Sequence, residues 1–377
     1  MIRFFLFFLC FLLSIPFSTA QIRVNSQSLP SVGDTIYLGL DNLPEGMTLG
    51  TTGGPQTWDF STLQAPFSKP QTFRLATVGR VGRLFEDASL MANLPVGNGE
   101  AYYRRTKTSL DLVGIYDENF LGIDLPLILK YRPALPMRRA PLRYQQSNRD
   151  LTEASVIFAA DDVGASYLDD LPISSDSFRV RLTLDRQELI DAYGTVQLPS
   201  GKFPVLRLRR VDRFNVRLDA KLPFVDWKDV TDLLPENKYL GERTDLSYHF
   251  LSEDRKTPIA IVEADDKTEA MQRVFFRQPK EKVASSSQFY TAPGLYAYPN
   301  PAILEVRFDF KNLSPDFYEI RMFNILGVEV WSESFWVPGN RTVKVDLNPF
   351  SKGTYLYSIV DSEGKTISTK RLVIVRP

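Results

Sequence analysis

"YGTVQLPSGKFPVLRLRRVDRFNVRLDAKL", residues 193–222, decides how the larger part of this 377-residue chain is read. Pro199-Ser200-Gly201-Lys202 forms a turn, since proline presets φ and glycine tolerates conformations closed to other residues. Leu206 and Leu208 face one way, and Phe214, Val216 and Leu218 resume the alternation. The break in parity near Arg210–Asp212 predicts a bulge or tight turn there. Upstream, "SFRVRLTLD" (177–185) puts Phe178, Val180, Leu182 and Leu184 on one face and Arg179, Arg181 and Thr183 on the other. A period of two marks half-buried antiparallel strands. "TPIAIVEADDKTEAMQRVFF" (257–276) reads as a further hairpin bending at Asp265-Asp266-Lys267. Helical candidates are short and few, at "DASLMANL" (87–94) and "DVTDLLPEN" (229–237). Residues 21–277 therefore read as a mainly antiparallel β region of one or two domains. The Pro-rich, non-periodic stretch 132–150 is a possible internal boundary.

The chain is 44% hydrophobic and 24% charged, an ordinary globular balance. Lys+Arg and Asp+Glu are both 45, so no overall basic excess exists to neutralise phosphates, and nucleic acid is not an expected partner. The densest basic run, "LRLRR" (206–210), alternates with apolar residues and reads as the solvated face of a strand. The stretch "MIRFFLFFLCFLLSIPFSTAQI" (1–22) has Arg3, an unbroken apolar run from Phe4 to Leu13, and small residues at Ser18-Thr19-Ala20. These are the parts of a secretory signal over residues 1–20, with cleavage expected between Ala20 and Gln21. The apolar run is too short for the ~20 residues a spanning helix needs. The single cysteine, Cys10, lies inside that run, so the mature chain has no disulfide, thiol nucleophile or thiolate metal site. No later apolar stretch is long enough for a membrane helix.

Residues 278–297, beginning "QPKEKVASSSQFYTAPG", read as a linker. After it come "LEVRFDF" (304–310), "FYEIRMFNIL" (317–326), "GVEVWSESF" (327–335), "RTVKVDL" (341–347), "GTYLYSIVD" (353–361) and "KTISTKRLVIV" (365–375), separated by turns. Regular short strands of this kind predict a small immunoglobulin-like β-sandwich over residues 298–377. Four elements carry a more specific signal: Tyr298-Pro299-Asn300-Pro301, Phe323-Asn324-Ile325-Leu326-Gly327, Gly353-Thr354-Tyr355, and Lys370-Arg371-Leu372-Val373-Ile374. In order and spacing the segment resembles the type A C-terminal sorting domain of proteins exported by the type IX secretion system of the Bacteroidota. The resemblance implies passage through the periplasm to the outer surface or the medium, the type IX machinery as a partner, and release or attachment to surface lipopolysaccharide. More loosely, "WDFS" (58–61) and "AYGTVQLPSGKFPVLRL" (192–208) make residues 21–280 similar to uncharacterised exported proteins of that phylum, which brings no activity with it.

The cargo offers little catalytic chemistry. His249 is the only histidine, in "LSYHFLSED", where Leu246, Tyr248 and Phe250 share one strand face and Ser247, His249 and Leu251 the other. With no G-x-S-x-G elbow, it reads as a structural or surface histidine. One histidine and no mature cysteine leave only carboxylates for a metal, which suits Ca²⁺ rather than zinc. "FAADDVGASYLDDLP" (158–172) is the candidate: Asp161, Asp162, Asp169 and Asp170 flank a Gly-containing loop, with solvated turn residues as the plainer reading. Glu253-Asp254 and Glu263 with Asp265-Asp266 are further acidic groups. "GTTGGPQTWDF" (50–60) lacks a phosphate-loop lysine and reads as a loop anchored by Trp58 and Phe60. Tyr102-Tyr103, Tyr116 and Tyr131 are candidate sugar platforms or, more simply, core residues. The expected function is a non-catalytic binding, adhesion or surface-assembly module. The alternative is a secreted glycoside hydrolase working through two carboxylates about 5–10 Å apart.

Overall fold

A computed structural model describes residues 22–375 apart from 42–43, 45, 64, 66, 95–98, 119, 121–124, 164–172, 174, 223–225, 235–238, 254, 280–293, 312 and 340, with backbone alone at 67–69. The signal-cleavage pair Ala20 and Gln21, the carboxylates Asp169 and Asp170, and most of the proposed linker lie outside the described residues.

The structure is mainly antiparallel β. The larger body contains β1 (Thr35–Asp41), β2 (Gly53–Asp59), β3 (Phe67–Thr72), β4 (Arg74–Leu75), β5 (Leu90–Asn93), β6 (Glu100–Arg105), β7 (Ser109–Asp117), β8 (Leu127–Arg139), β9 (Ser147–Ala159), β10 (Ser177–Leu198), β11 (Gly201–Lys221), β12 (Trp227–Asp229), β13 (Gly241–Leu251), β14 (Ala260–Ala264) and β15 (Met271–Arg277). They form one 15-stranded sheet whose path runs β3-β1-β15-β14-β13-β11-β10-β9-β8-β7-β6-β5-β4, with β2 and β12 paired to its sides. Only Phe73 separates β3 from β4 in the chain, so the path returns to its starting point. Gln71 Nε2 donates to Asn93 O at 3.1 Å and Arg74 Nη2 to Asn93 Oδ1 at 2.9 Å across that junction.

The spine of the sheet is the long hairpin β10–β11, joined by a two-residue turn at Pro199-Ser200 with Leu198 paired to Gly201. At ~3.4 Å per residue the 22-residue β10 reaches about 70 Å, enough for its two ends to serve different cores. Phe178, Val180, Leu182 and Leu184 pack with Val216, Leu218 and Ala220 in one cluster that also takes in Phe73, Leu110 and Leu129. The other end, Ala192, Val196 and Val205, packs with Trp58, Phe60, Phe250 and Phe276. Trp58 meets Phe250 edge-on, with centroids 5.0 Å apart.

Several local expectations change. Residues 50–60 are not simply a loop: Gly53–Asp59 is a strand parallel to β10, although Trp58 and Phe60 do anchor it in the core. A Cβ at Gly194 would overlap Gln56 O, so glycine there lets β2 approach this closely. Residues 87–94 hold strand β5 instead of a helix; Leu90, Met91 and Ala92 are all buried, so no face is left polar to show a period. Of the 229–237 candidate, Asp229 ends β12 and Thr231–Leu233 form a 3-10 turn, while residues 235–237 lie outside the described residues. The Pro-rich stretch 132–150 contributes residues to β8 and β9. The bulge expected near Arg210–Asp212 is absent. β11 pairs without interruption there, and the register shift sits on the partner strand, between Ile190 and Ala192.

The C-terminal body has β16 (Gly294–Tyr298), β17 (Glu305–Lys311), β18 (Asp316–Asn324), β19 (Glu329–Val337), β20 (Arg341–Asp346), β21 (Gly353–Val360) and β22 (Thr366–Ile374). Three strands, β16-β17-β20, make one sheet and four, β19-β18-β21-β22, the other. A single cluster joins them, including Leu295, Val306, Phe308 and Phe310 from the first sheet and Ile320, Met322, Ile359 and Leu372 from the second. This is the immunoglobulin-like sandwich, with one strand more than the six expected from sequence. The added strand is "GLYAY" itself, within the stretch expected to be linker.

Candidate functional site

The run "LRLRR" is buried, not solvated, except for the half-buried Arg209. Arg207 and Asp191 have side chains only 2% exposed, and Arg207 Nε and Nη2 donate to the two carboxylate oxygens of Asp191 at 2.8 and 3.0 Å. Asp191 is the extra residue of the bulge, the usual device for aiming a side chain off the ladder. Arg207 also donates to Leu49 O and to Thr51 O, and its guanidinium lies over the rings of Trp58 and Tyr248. A guanidinium can be buried when its planar fork is matched by a carboxylate and its other donors find carbonyls.

A second set of charges lies on the opposite face of the same hairpin. β10 and β11 put Arg186 directly across from Asp212, and Glu188 across from Arg210. Arg186 Nε and Nη2 each reach Asp212 at 2.7 Å. Arg210 Nε and Nη2 reach Glu188 Oε1 at 2.9 and 2.6 Å. β8 adds Arg139, which bridges Asp150 at 2.5 Å and Glu188 at 3.1 Å. Spare donors go to β8 carbonyls: Arg186 Nη1 to Pro136 O at 3.0 Å and Arg210 Nη2 to Met137 O at 2.8 Å. The apparent parity break is thus a continuous inward face on which Arg210 and Asp212 replace apolar residues.

Beside this set is a half-open cavity of about 160 Å³. Its wall is apolar where β1 brings Ile36 and Leu38 and where Phe73, Leu110 and Leu251 approach, and polar where Glu188, Arg210, Arg138 and His249 meet. Arg138 differs from the other arginines. Its Nη1 donates to Lys256 O, and its Nη2 is buried with no hydrogen-bond partner. Burial, followed by the neighbouring Arg210, lowers its pKa to about 10, so it stays a cation at neutral pH. His249 is held well below its ordinary 6.5, first by burial and then by Arg210, Arg186 and Arg138, and is neutral at pH 7. It shares a hydrogen bond of 3.1 Å with Ser247 Oγ, and among the described residues no carboxylate hydrogen-bonds to its ring, as one must to orient a catalytic triad histidine; Glu188, at the same end of the cavity, is held by Arg210 and Arg139. Tyr103, also on the wall, is pushed up to about 12, by burial first.

Asp161 and Asp162 are exposed or partly exposed on the 3-10 turn Ala160–Asp162, where no residue is buried. Asp265 accepts from the Lys267 and Thr268 backbone amides, Glu263 pairs with Arg273, and Glu253 accepts from Asn25. Among the described residues no group of three or more His, Cys, Asp or Glu side chains is placed to hold a metal ion. Tyr102 and Tyr103 are buried, and Tyr116 and Tyr131 are partly buried against the core clusters.

In the sandwich, the quoted motif residues tie its beginning to its last strand. Asn300 accepts from Val373 N at 2.8 Å and donates to Arg371 O at 2.6 Å. Lys370 Nζ donates to Leu295 O at 2.9 Å and lies 3.4 Å from the Tyr296 ring centroid. Pro299 and Pro301 flank Asn300, and Arg371 points outward. Gly327, at φ +78°, closes the turn in which Asn324 Oδ1 accepts from Leu326 N and Val328 N. Gly353 opens β21, and Tyr355 is buried with its hydroxyl on Ser351 O at 2.8 Å. Ile325 and Leu326 at that turn are 73% and 82% exposed.

Three comparisons bear on these bodies. The family model described as "Secretion system C-terminal sorting domain" matches residues 296–375. A comparison with curated proteins finds no match. Among solved structures, the crystal structure of dimeric latent PorU from Porphyromonas gingivalis aligns over 92% of this chain at 10% identity with a TM-score of 0.21. That alignment spans 30% of the PorU chain, and a score so low carries no argument about fold or role. Among the described residues no helix is long and apolar enough to cross a membrane. Residues 296–375, the sandwich of β16 to β22, are a type IX secretion C-terminal sorting domain, which implies export to the cell surface or the medium.

Proposed function

We propose that residues 1–20 are removed between Ala20 and Gln21, that the segment after residue 277 links cargo to sorting domain, and that residues 21–277 work outside the cell as a non-catalytic binding or surface-assembly module. Lipopolysaccharide or another surface glycan is the proposed partner. The observation that carries this reading is the state of the carboxylates buried in the middle of the β10–β11 hairpin. Glu188, Asp191 and Asp212 are each held at two or more points by arginine. Such pairs fix a sheet in place; a general acid and base need carboxyls free to take and give protons. Asp161 and Asp162 remain a proposed calcium-binding pair with Asp169 and Asp170.

The test is to incubate the protein with polysaccharide and lipopolysaccharide from the producing cells, and to measure both retention and released reducing ends. Retention without new reducing ends is expected. New reducing ends that disappear when an Asp or Glu is substituted would establish the hydrolase instead. For calcium, chelation should lower the melting temperature if the four aspartates bind the ion, and leave it unchanged if they are solvated turn residues.

A further inference from the structure

We infer that the cavity beside the β10–β11 hairpin is a binding site for a small monocarboxylate with an apolar body. The inference goes beyond the glycan-binding reading and stands apart from it. Three observations converge. The first is charge: around the cavity four arginines (Arg138, Arg139, Arg186, Arg210) meet three carboxylates (Asp150, Glu188, Asp212). Each carboxylate is claimed by an arginine other than Arg138, so the surplus positive charge belongs to Arg138. The second is geometry: Arg138 lines the cavity, has one guanidinium nitrogen engaged by a carbonyl, and keeps another buried without a partner. A buried cationic donor left unpaired is costly, and a carboxylate oxygen is the group whose charge and hydrogen-bonding capacity answer it. Neutral His249, hydrogen-bonded to Ser247, adds no second positive charge at pH 7, so one anionic group is enough.

The third observation is size and lining. Most of the wall is apolar, as at Ile36, Leu38, Phe73, Leu110 and Leu251, with Gln71 and Tyr103 as polar members besides Glu188, Arg210, Arg138 and His249. A cavity of about 160 Å³ matches the size at which an apolar protein cavity takes up one benzene ring, so the ligand has on the order of six to nine non-hydrogen atoms. Monosaccharides fit poorly, because the apolar wall would strip their hydroxyls of water without replacing those hydrogen bonds. Short-chain alkanoates and simple aromatic acids meet both demands.

The experiment is calorimetric titration of the full chain with hexanoate and benzoate, each against its neutral analogue, hexanol and benzyl alcohol. The acids should bind about tenfold to a hundredfold more tightly than the alcohols, the difference expected of a charge-assisted hydrogen bond in a buried site. Arg138→Met should abolish that preference while leaving weak alcohol binding. Should Arg138→Met fail to fold, Leu208→Phe, which enlarges a lining side chain and narrows the cavity, should weaken acid and alcohol alike. Equal affinity for acid and alcohol, no binding of either, or acid binding that survives Arg138→Met would overturn the inference. Loss of glycan retention in the assay above with acid binding intact would count against that reading alone; the reverse would count against this one alone.

Discussion

The two bodies of the chain handle charge in opposite ways. In the sorting sandwich Ser358 is the one buried polar residue among the described residues, and the ion pairs lie at the surface, as between Arg321 and Glu319. In the large sheet Arg186, Glu188, Asp191, Arg207, Arg210 and Asp212 are buried in the middle of its longest hairpin. A sandwich held by apolar area alone is stabilised by many small contributions. The sheet is held there by a few interactions that must all be present, because removing one partner strands the other charge away from water.

That contrast orders the expected effects of substitution. Asp191→Ala leaves Arg207 buried beneath Trp58 and Tyr248 with no counter-charge, and should destabilise the large sheet by about 3–5 kcal/mol in urea unfolding. A change under about 1 kcal/mol would mean that Arg207 escapes to solvent and that the contrast is false. Ile320→Ala in the sandwich removes fully buried methyl groups and should cost about 2–4 kcal/mol, confined to the unfolding of residues 294–375.

The pH dependence sharpens the same contrast, since the only histidine faces Arg210, Arg186 and Arg138. Its folded pKa lies below 6.5, so the unfolded chain takes up the proton first. Its contribution is fully present above about pH 6.5 and is lost as pH falls below that value, by up to about 1.4 kcal/mol per pH unit. Comparing urea midpoints at about pH 7.5 and 5.5, on either side of the ordinary histidine pKa, wild type should lose more stability than His249→Gln. Equal losses would place the histidine's proton outside the arginine field. The smallest effect belongs to the surface pair: Arg321→Ala should change stability by about 0–1 kcal/mol.

The difference also explains what can be read from sequence. Each of the six C-terminal strands shows an apolar face and a polar face, as in "EVRFDF", so their positions are legible to within a few residues. β16 escapes notice because the prolines of "YPNP" mask the alternation of "GLYAY" just before them. In the cargo, "SFRVRLTLD" and the hairpin at Asp265 are legible for the same reason as the sandwich. "LRLRR" is not, because alternation tells which residues share a face but not which face is wet. Parity does not break at Arg210–Asp212: charged residues take two inward positions, matched by "DRQE" (185–188) on the strand that lies opposite. The cavity leaves no local trace, since Ile36, Arg138, Arg210 and His249 come from four separated strands brought together only by the closing of the sheet.

The central claim is that a sorting sandwich carries this arginine-stapled sheet to the outside of the cell. The most direct measurement is to fractionate producing cells that express either the full chain or a chain ending at Arg277, and to determine the intact mass of the protein in each fraction. The full chain is expected at the cell surface or in the medium, beginning at Gln21, while the truncated chain stays in the periplasm. A truncated chain that reaches the outside as efficiently as the full one would contradict the account.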